Sequence, residues 1–449
     1  MKTIFITVFD GAASKNILRT DVFRVLKQHY RIVLFVPPQK LEFYREQFGE
    51  SGVDFELSPP ATYPTFERRY HVVALDSLHT DTVNIKIRHD YAKRGNFPKM
   101  IFKFLLWQIG RFKTYHRLMR FLYARVPDHS FDMFFEKYKP VGVFVPNMIS
   151  NEDFRLVKAA KRRGLKVIGM PKSWDNFTGK TFFNTFPDFV MVQNQVMYEQ
   201  AQQLFQYPKE RMTIVGFPPF DVYERKEELR PRSEFLQKLG LDPAKKTILY
   251  GAAGHQIGPN DEEVLNILIR GIDADPELRK TVQILVRPHP KYIFQENKME
   301  KRPFVIVDYP GRDITEKKSS WEFDDDDIAH LTNSIRHADV LITTMSTLNL
   351  EGAIFDRPLI SIGFDGDKKI PYALSTARYY KYEQTQPLVK SGGMPVAYSA
   401  EELLSLVRGY LANPSKDAEG RKRIIERMVG TVGGRGKRVA EIVVEKIGV

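Results

Sequence analysis

The sequence predicts an α/β protein with parallel sheets, and three observations carry that reading. Short continuous apolar runs recur along its 449 residues, at 3–8, 32–36, 141–145, 282–286 and 340–342. Such runs fit strands buried on both faces. Amphipathic stretches of helical length separate them, as βαβ units require. Each run then ends in a small or polar loop, where parallel sheets open their ligand crevices. A chain of this length is expected to hold two domains. The charged stretch Glu224–Pro231 reads as the linker between them. The expected division is 1–222, 223–425 and a final helical segment, 426–449.

Composition narrows the class. Hydrophobic residues are 43% of the chain and charged ones 27%, which supports large cores and argues against wholesale disorder. There is no cysteine, so disulfides and thiolate metal sites are excluded and a reducing compartment is permitted. The opening MKTIFITV reads as the first strand, too short for a signal segment. No run approaches the roughly 18 apolar residues of a membrane span. The formal net charge of +13 calls for an anionic partner: a phosphorylated ligand, nucleic acid or an anionic membrane surface.

The first strand leads through Phe9–Asn16 into a helix carrying Leu18, Val22, Phe23 and Leu26, and strand 32–36 closes a βαβ unit. Asp10, Asn16 and Arg19 fall at or just beyond its carboxyl edge. Asp10 is a candidate catalytic carboxylate, with turn or cap duty as its plainer role. Residues 93–125 hold nine Lys or Arg and no acid. At helical spacing Ile101, Phe104, Leu105, Phe112, Tyr115, Met119 and Leu122 share one face, opposite Lys99, Lys103, Lys113, Arg117 and Arg120. That is the pattern of a helix on an anionic bilayer, or of a core-packed helix with a solvated basic face. No nucleic-acid motif accompanies it.

After strand 165–169 stands PKSWDNFTGK, residues 171–180, a mixture typical of a site. Asp175 is a candidate general base there, Trp174 and Asn176 candidate acceptor contacts, and Lys172 or Lys180 phosphate partners. An Asx-turn over a packed Trp174 is the plainer alternative. GFPPFD, 216–221, stiffens the end of this half.

The second half begins with strand 246–250 and Gly251-Ala252-Ala253-Gly254, where small residues let a ligand approach the backbone, Gly254 in particular. No Walker A lysine follows. Strand 282–286 ends in Arg287-Pro288-His289-Pro290-Lys291: three groups able to carry positive charge, suited to a phosphate. Asp324–Asp327 reads as the capped, dipole-matched start of helix 328–337. In 339–363, a strand, a loop with Thr343, Thr344, Ser346 and Thr347, a helix from about 348 to 355 and a strand follow in turn. The helix start is a seat for a phosphate. Glu351, one turn on, is placed to accept from ribose hydroxyls. Helices near 400–411 and 418–428 and one ending near 447 complete the chain.

Together, SWDNFTGK (173–180), GFPPFD, RPHP (287–290) and TTMSTLNLEGAIFDRP (343–358) resemble a nucleotide-sugar glycosyltransferase of the GT-B fold. That resemblance implies two Rossmann-like domains facing across a cleft, acceptor on the first and nucleotide donor on the second, with a last helix crossing back. Within that class the His-Pro and Ser/Thr segments look most like bacterial surface-polysaccharide transferases, capsule polymerases and CDP-glycerol glycerophosphotransferases. The resemblance implies donor contacts for Arg287, His289, Ser346 and Thr347 and a ribose contact for Glu351. The resemblance implies that protein groups rather than a metal ion support the leaving diphosphate, so no metal or other cofactor is expected. No motif fixes the catalytic base, which leaves Asp175 and Asp10 open beside His289.

The expected function is transfer of a sugar from a nucleotide-sugar donor to a glycan or lipid-linked acceptor in bacterial surface-glycan synthesis. The expected place is the cytoplasm, at the inner membrane face through 93–125, with no nucleic-acid partner. A CDP-glycerol-type glycerophosphotransferase, a UDP-N-acetylglucosamine 2-epimerase-like isomerase and a catalytically silent binding protein are the alternatives.

Overall fold

The computed structural model describes residues 1–225, 229–292, 294–313 and 321–448. Residues 226–228, within the stretch read as a linker, lie outside the described residues. The chain forms two compact units, Met1–Asp221 with Val432–Val449, and Val222–Thr431.

Unit 1 holds seven parallel strands: β1 Thr3–Thr7, β2 Arg31–Val36, β3 Val53–Leu57, β4 Gly142–Val145, β5 Lys166–Gly169, β6 Phe189–Val192 and β7 Met212–Ile214. Their order is β3-β2-β1-β4-β5-β6-β7. Every residue of β1 is buried, as a run covered by helices on both faces must be. The first helix predicted from the sequence is in fact two pieces. A π-turn at Ser14–Leu18 precedes the helix Asp21–His29, because Thr20 turns extended there and its hydroxyl caps the Val22 N–H at 3.3 Å.

The last helix, Arg435–Ile447, packs on Asp21–His29 within this unit. Its first residues are held by Asp221, whose carboxylate accepts from the Arg435 N–H at 3.0 Å and the Gly436 N–H at 2.7 Å. Thus the GFPPFD segment ends in a cap for a helix more than two hundred residues later. A side chain at position 436 would press on the backbone of Asp21, 3.0 Å from its nitrogen.

The basic, aromatic segment is two helices, Phe97–Ile109 and Lys113–Arg125. They part at Gly110, where only glycine fits: a Cβ there would stand 1.5 Å from the Ser77 carbonyl oxygen. Neither expected face survives intact. Met119 joins Leu106, His116 and Tyr123 in burial, whereas Ile101, Phe104, Leu105 and Leu122 are exposed. With Phe102 (55% exposed), Phe112 and Phe121 they form a broad uncovered apolar surface. The basic side is partly neutralised: Lys103 pairs with Asp76 at 3.4 Å and Asp90 at 3.2 Å, and Lys99 with Asp90 at 3.5 Å. Arg120 lies over the Phe186 ring, 4.6 Å from its centre. Among the described residues, no helix is long and apolar enough to cross a membrane.

Unit 2 carries a second parallel sheet: β8 Lys246–Gly251, β9 Val282–Arg287, β10 Val305–Val307, β13 Val340–Thr343, β14 Leu359–Ile362 and β15 Val396–Ala397. The short β11 Arg312–Asp313 and β12 Trp321–Glu322 form an antiparallel pair apart from it. The order is β10-β9-β8-β13-β14-β15. The sequence from β8 outward is therefore that of a Rossmann sheet, as it is from β1 in unit 1. The four acids at 324–327 open the helix Asp325–His337, with Asp324 and Asp327 in a reciprocal capping box.

Candidate active site

In unit 2 the strand order reverses between β8 and β13, the place where such sheets bind ligands. Gly251 is in register with Arg287 on one side and Thr343 on the other. The Thr343 hydroxyl donates to the Gly251 carbonyl at 2.7 Å. Three predicted loops thus leave the sheet from one row. Gly254 takes a left-handed φ of +72°, and a Cβ there would meet that of Tyr292 at 2.4 Å. Its N–H donates to buried Asp261 at 3.0 Å. Burial raises that carboxyl to about 6, and the Tyr250 hydroxyl donates to it at 2.8 Å.

Tyr292 in turn stacks on His289, ring centres 4.4 Å apart. Gly254, Tyr292 and His289 therefore form one wall. Ser346 and Thr347, both half-buried, stand at the start of the helix Leu348–Ile354. The Ser346 Oγ accepts from the Leu348 N–H at 3.3 Å.

The expected triple cation at 287–291 is not what the structure presents. Arg287 is buried, and its Nη1 donates to Asp308 at 2.6 Å. Asp308 also receives His330 Nε2 at 2.8 Å. Burial lowers the Arg287 pKa, opposed by Asp308, Asp327 and Glu351. Burial, then the Lys291 charge, pushes the His289 imidazole down to about 4. Its Nδ1 accepts the Lys291 N–H at 3.0 Å, which leaves the ring proton on Nε2. The physical reason is desolvation: a guanidinium this deep needs a carboxylate, and a half-buried imidazole stacked on Tyr292 beside a lysine sheds its proton. Lys291 is the exposed cation of the loop.

Glu351 is buried and accepts from the Tyr223 hydroxyl at 2.8 Å. Sequence reasoning missed Asp308, His330 and Tyr223. Asp308 carried a usable signal, since it follows a β-branched run, Val305–Val307, at the same sheet edge.

Unit 1 gathers the other predicted residues. Asp10 caps the Ala13 N–H at 2.9 Å and pairs with Lys172 at 2.6 Å. Asn16 Nδ2 donates to the Lys172 carbonyl at 2.9 Å. Arg19 lies instead over the Phe48 ring, 5.2 Å from its centre. Trp174 and Asn176 are buried. Asn176 holds the loop in shape: its Oδ1 accepts the Ser173 N–H at 2.9 Å and its Nδ2 meets Asp175 at 3.2 Å. The oxygen bond runs back to the N–H three residues earlier, not forward as in an Asx-turn, and it commits the Asn176 side chain to the shape of the loop.

Asp175 pairs with Lys180. Burial pushes its carboxyl up, but Lys180, Ser173 and Lys86 more than offset this and hold it below the ordinary range. Lys86, absent from the sequence reading, donates to the Gly179 carbonyl at 2.7 Å. Burial, then Lys180, lowers its pKa to about 8. The loop is braced further by Thr80, whose hydroxyl donates to the Thr178 carbonyl at 2.6 Å while its own carbonyl accepts Trp107 Nε1 at 2.9 Å. Among the described residues, no group of three His, Cys, Asp or Glu is placed to hold a metal ion.

Residues 160–447 match the model of a family described as CDP-Glycerol:Poly(glycerophosphate) glycerophosphotransferase. No curated protein matches the chain. Among solved structures it is similar to S. aureus MnaA with UDP, at 12% identity and TM-score 0.55, over 99% of this chain and 96% of that one. It is similar to the UDP-GlcNAc 2-epimerase of Methanocaldococcus jannaschii at 11% identity and TM-score 0.56, over 99% of both. The spinosyn rhamnosyltransferase SpnG complexed with thymidine diphosphate matches at 9% and 0.52, over 99% of this chain and 100% of that one. Such distant likenesses speak for the fold alone, and the fold is GT-B: two Rossmann-like units, each on a parallel sheet.

Proposed function

This chain belongs to the CDP-glycerol:poly(glycerophosphate) glycerophosphotransferase family, and from that premise we propose that it moves glycerol phosphate from CDP-glycerol onto a surface-polymer acceptor. Transfer of a sugar from a nucleotide sugar is the second reading, since the same loops serve either diphosphate. The observation that carries the proposal is the row at the carboxyl edge of the unit 2 sheet. It sets the Gly254 loop, the 287–291 loop and the Ser346–Thr347 helix start around one reversal of strand order.

In this reading unit 2 binds the donor. Ser346, Thr347, Lys291 and the Nε2–H of neutral His289 donate to its diphosphate. Arg287 orders the floor through Asp308 rather than touching the ligand, and Glu351, oriented by Tyr223, accepts from the ribose. Unit 1 binds the acceptor. An acceptor hydroxyl attacks the glycerol-bearing phosphorus, the phosphoanhydride bond breaks, and CMP leaves with the bonding electrons. Charge growing on the leaving phosphate is stabilised by the unit 2 donors.

The hydroxyl proton passes to a unit 1 carboxylate. Asp10 is the better placed of the two, with its side chain 32% exposed. Both are paired with a lysine, Asp10 with Lys172 and Asp175 with Lys180, so exposure rather than charge separates them. No metal is assigned to the reaction.

A donor screen tests this. CDP-glycerol with a glycerol phosphate primer is expected to yield CMP and a longer polymer. UDP-sugars in its place should give neither UDP nor extended product; release of UDP would favour the second reading. Product from a donor alone, without acceptor, would sink both in favour of an isomerase.

The uncovered apolar surface on Phe97–Ile109 and Lys113–Arg125 is proposed to rest on the cytoplasmic face of an anionic membrane, where polymer acceptors are anchored. Vesicles containing anionic phospholipid are expected to co-sediment with the protein. The triple change Phe102→Ser, Leu105→Ser, Phe121→Ser should reduce the bound fraction at least about tenfold, at roughly 0.8 kcal/mol per buried CH₂. Equal binding by the variant would return these helices to a role within the protein.

A further inference from the structure

An open groove of about 460 Å³ lies on unit 1 between the helices Pro64–Asp76 and Lys113–Arg125. Thr65, Phe66, Arg69, Tyr70 and Val73 line it from the first helix and Met119 from the second. Positions 66, 69, 70 and 73 are spaced by three and four residues, so they share one helix face. None of them belongs to the site described above. The volume falls within the roughly 300–1,000 Å³ of small-molecule sites.

The floor is aromatic and apolar. The ring centres of Phe66 and Tyr70 stand 5.7 Å apart, and those of Tyr70 and Tyr123 5.0 Å. The Tyr70 hydroxyl is already spent: it donates to the Met119 carbonyl at 2.9 Å, which also ties one helix to the other. Phe66 is 37% exposed, so the groove opens to the outside rather than into the core.

Arg69 stands exposed at the mouth. Its guanidinium has neither a carboxylate nor a carbonyl partner among the described residues. Glu67, two positions earlier, does not offset this charge, because it is buried and paired with Arg155 at 3.4 Å. Leu118 and Leu122, also exposed, carry the apolar surface on along the second helix, and residues 93–125 hold no acid.

These features select an occupant. Ring faces and methyl groups offer no partner to the N–H and C=O groups of a peptide backbone, which a hydrocarbon chain lacks. A chain that ends in phosphate also satisfies Arg69, since a guanidinium grips phosphate oxygens with paired donors.

We propose that this groove holds the hydrocarbon chain of a single membrane lipid, with the lipid's phosphate on Arg69. The proposal rests on the reading of the two helices within 97–125 as a membrane-facing surface, and it adds one saturable site to that surface.

The test uses the full chain and calorimetry with single-chain probes below their micelle concentrations: dodecyl phosphate, farnesyl phosphate, dodecyl maltoside and, separately, inorganic phosphate. A phosphate-headed chain is expected to saturate a single site per protein, and dodecyl maltoside and inorganic phosphate to bind far more weakly. Preference for dodecyl phosphate identifies a straight chain and preference for farnesyl phosphate an isoprenoid, and either supports the proposal. Thr65→Trp, made at an exposed position, fills the groove and should abolish binding. Arg69→Gln should weaken the phosphate-headed probe about tenfold and leave dodecyl maltoside unchanged. Both variants should melt as the parent does.

No saturable binding, binding untouched by Thr65→Trp, dodecyl maltoside held as tightly as dodecyl phosphate, or a dimer of the chain that Thr65→Trp dissolves would overturn the proposal. The variant carrying Phe102→Ser, Leu105→Ser and Phe121→Ser should leave vesicles of phosphatidylcholine and phosphatidylglycerol yet retain dodecyl phosphate. Probe binding that follows this pattern in a protein indifferent to such vesicles would leave the groove assigned while the membrane reading fell.

Discussion

Arg287→Ala is expected to lower the stability of the protein by about 3 kcal/mol or more, because it strands a buried carboxylate. Asp308 would keep His330 at 2.8 Å but lose the guanidinium at 2.6 Å. The Arg287 side chain is only 5% exposed, so solvent cannot replace it cheaply. Urea denaturation reads the effect as a lower midpoint. The double change Arg287→Ala, Asp308→Ala should recover part of the loss, since the orphaned charge is then gone. An unmoved midpoint with a collapse in CDP affinity would show Arg287 gripping the donor directly.

His289→Ala has the largest expected effect on turnover, about 100-fold or more in kcat, with little change in melting temperature. The neutral ring offers one fixed N–H where charge grows, and alanine offers none. His289→Asn, which retains a donor, should recover part of the rate.

The pH behaviour gives a second reading of the same residue. The folded imidazole titrates at about 4, below its ordinary 6.5. Between those values the unfolded chain binds the proton and the folded one does not. The stability associated with the neutral ring is therefore complete above pH 6.5 and is lost as pH falls toward 4. His289→Ala should flatten that part of the stability profile. A profile unchanged by the substitution would mean that the ring is not held neutral.

Much of the fold was legible because buried parallel strands announce themselves. The runs at β1, β2, β9 and β13 each hold at least three consecutive large apolar residues, short enough and regular enough to read as strands. β3, Val53–Leu57, escaped notice: it alternates Val, Asp, Phe, Glu, Leu at the sheet edge, where one side remains wet. The break at Gly110 was hidden for another reason. The need for glycine there is set by a carbonyl oxygen thirty-three positions earlier, which no local spacing reports.

The site divides in the same way. Residues fixed by their own strand end, such as Gly254, Ser346 and Thr347, fell where spacing put them. Residues whose state depends on distant partners did not. Arg287 read as a free cation until Asp308 was seen beside it, and His289 read as a charge until its burial was known. Trp174 and Asn176 looked like a ligand surface because their types are versatile, but Trp174 is buried and the loop itself takes the hydrogen bonds of Asn176.

The chain of contacts from Trp107 through Thr80 to Thr178 has a mechanical meaning. The helix that displays Phe102 and Leu105 outward is wired inward, by two hydrogen bonds, to the loop that carries Asp175. Thr80 is therefore shared between them: its carbonyl anchors the helix and its hydroxyl anchors the loop, so a substitution that moves this residue would loosen both.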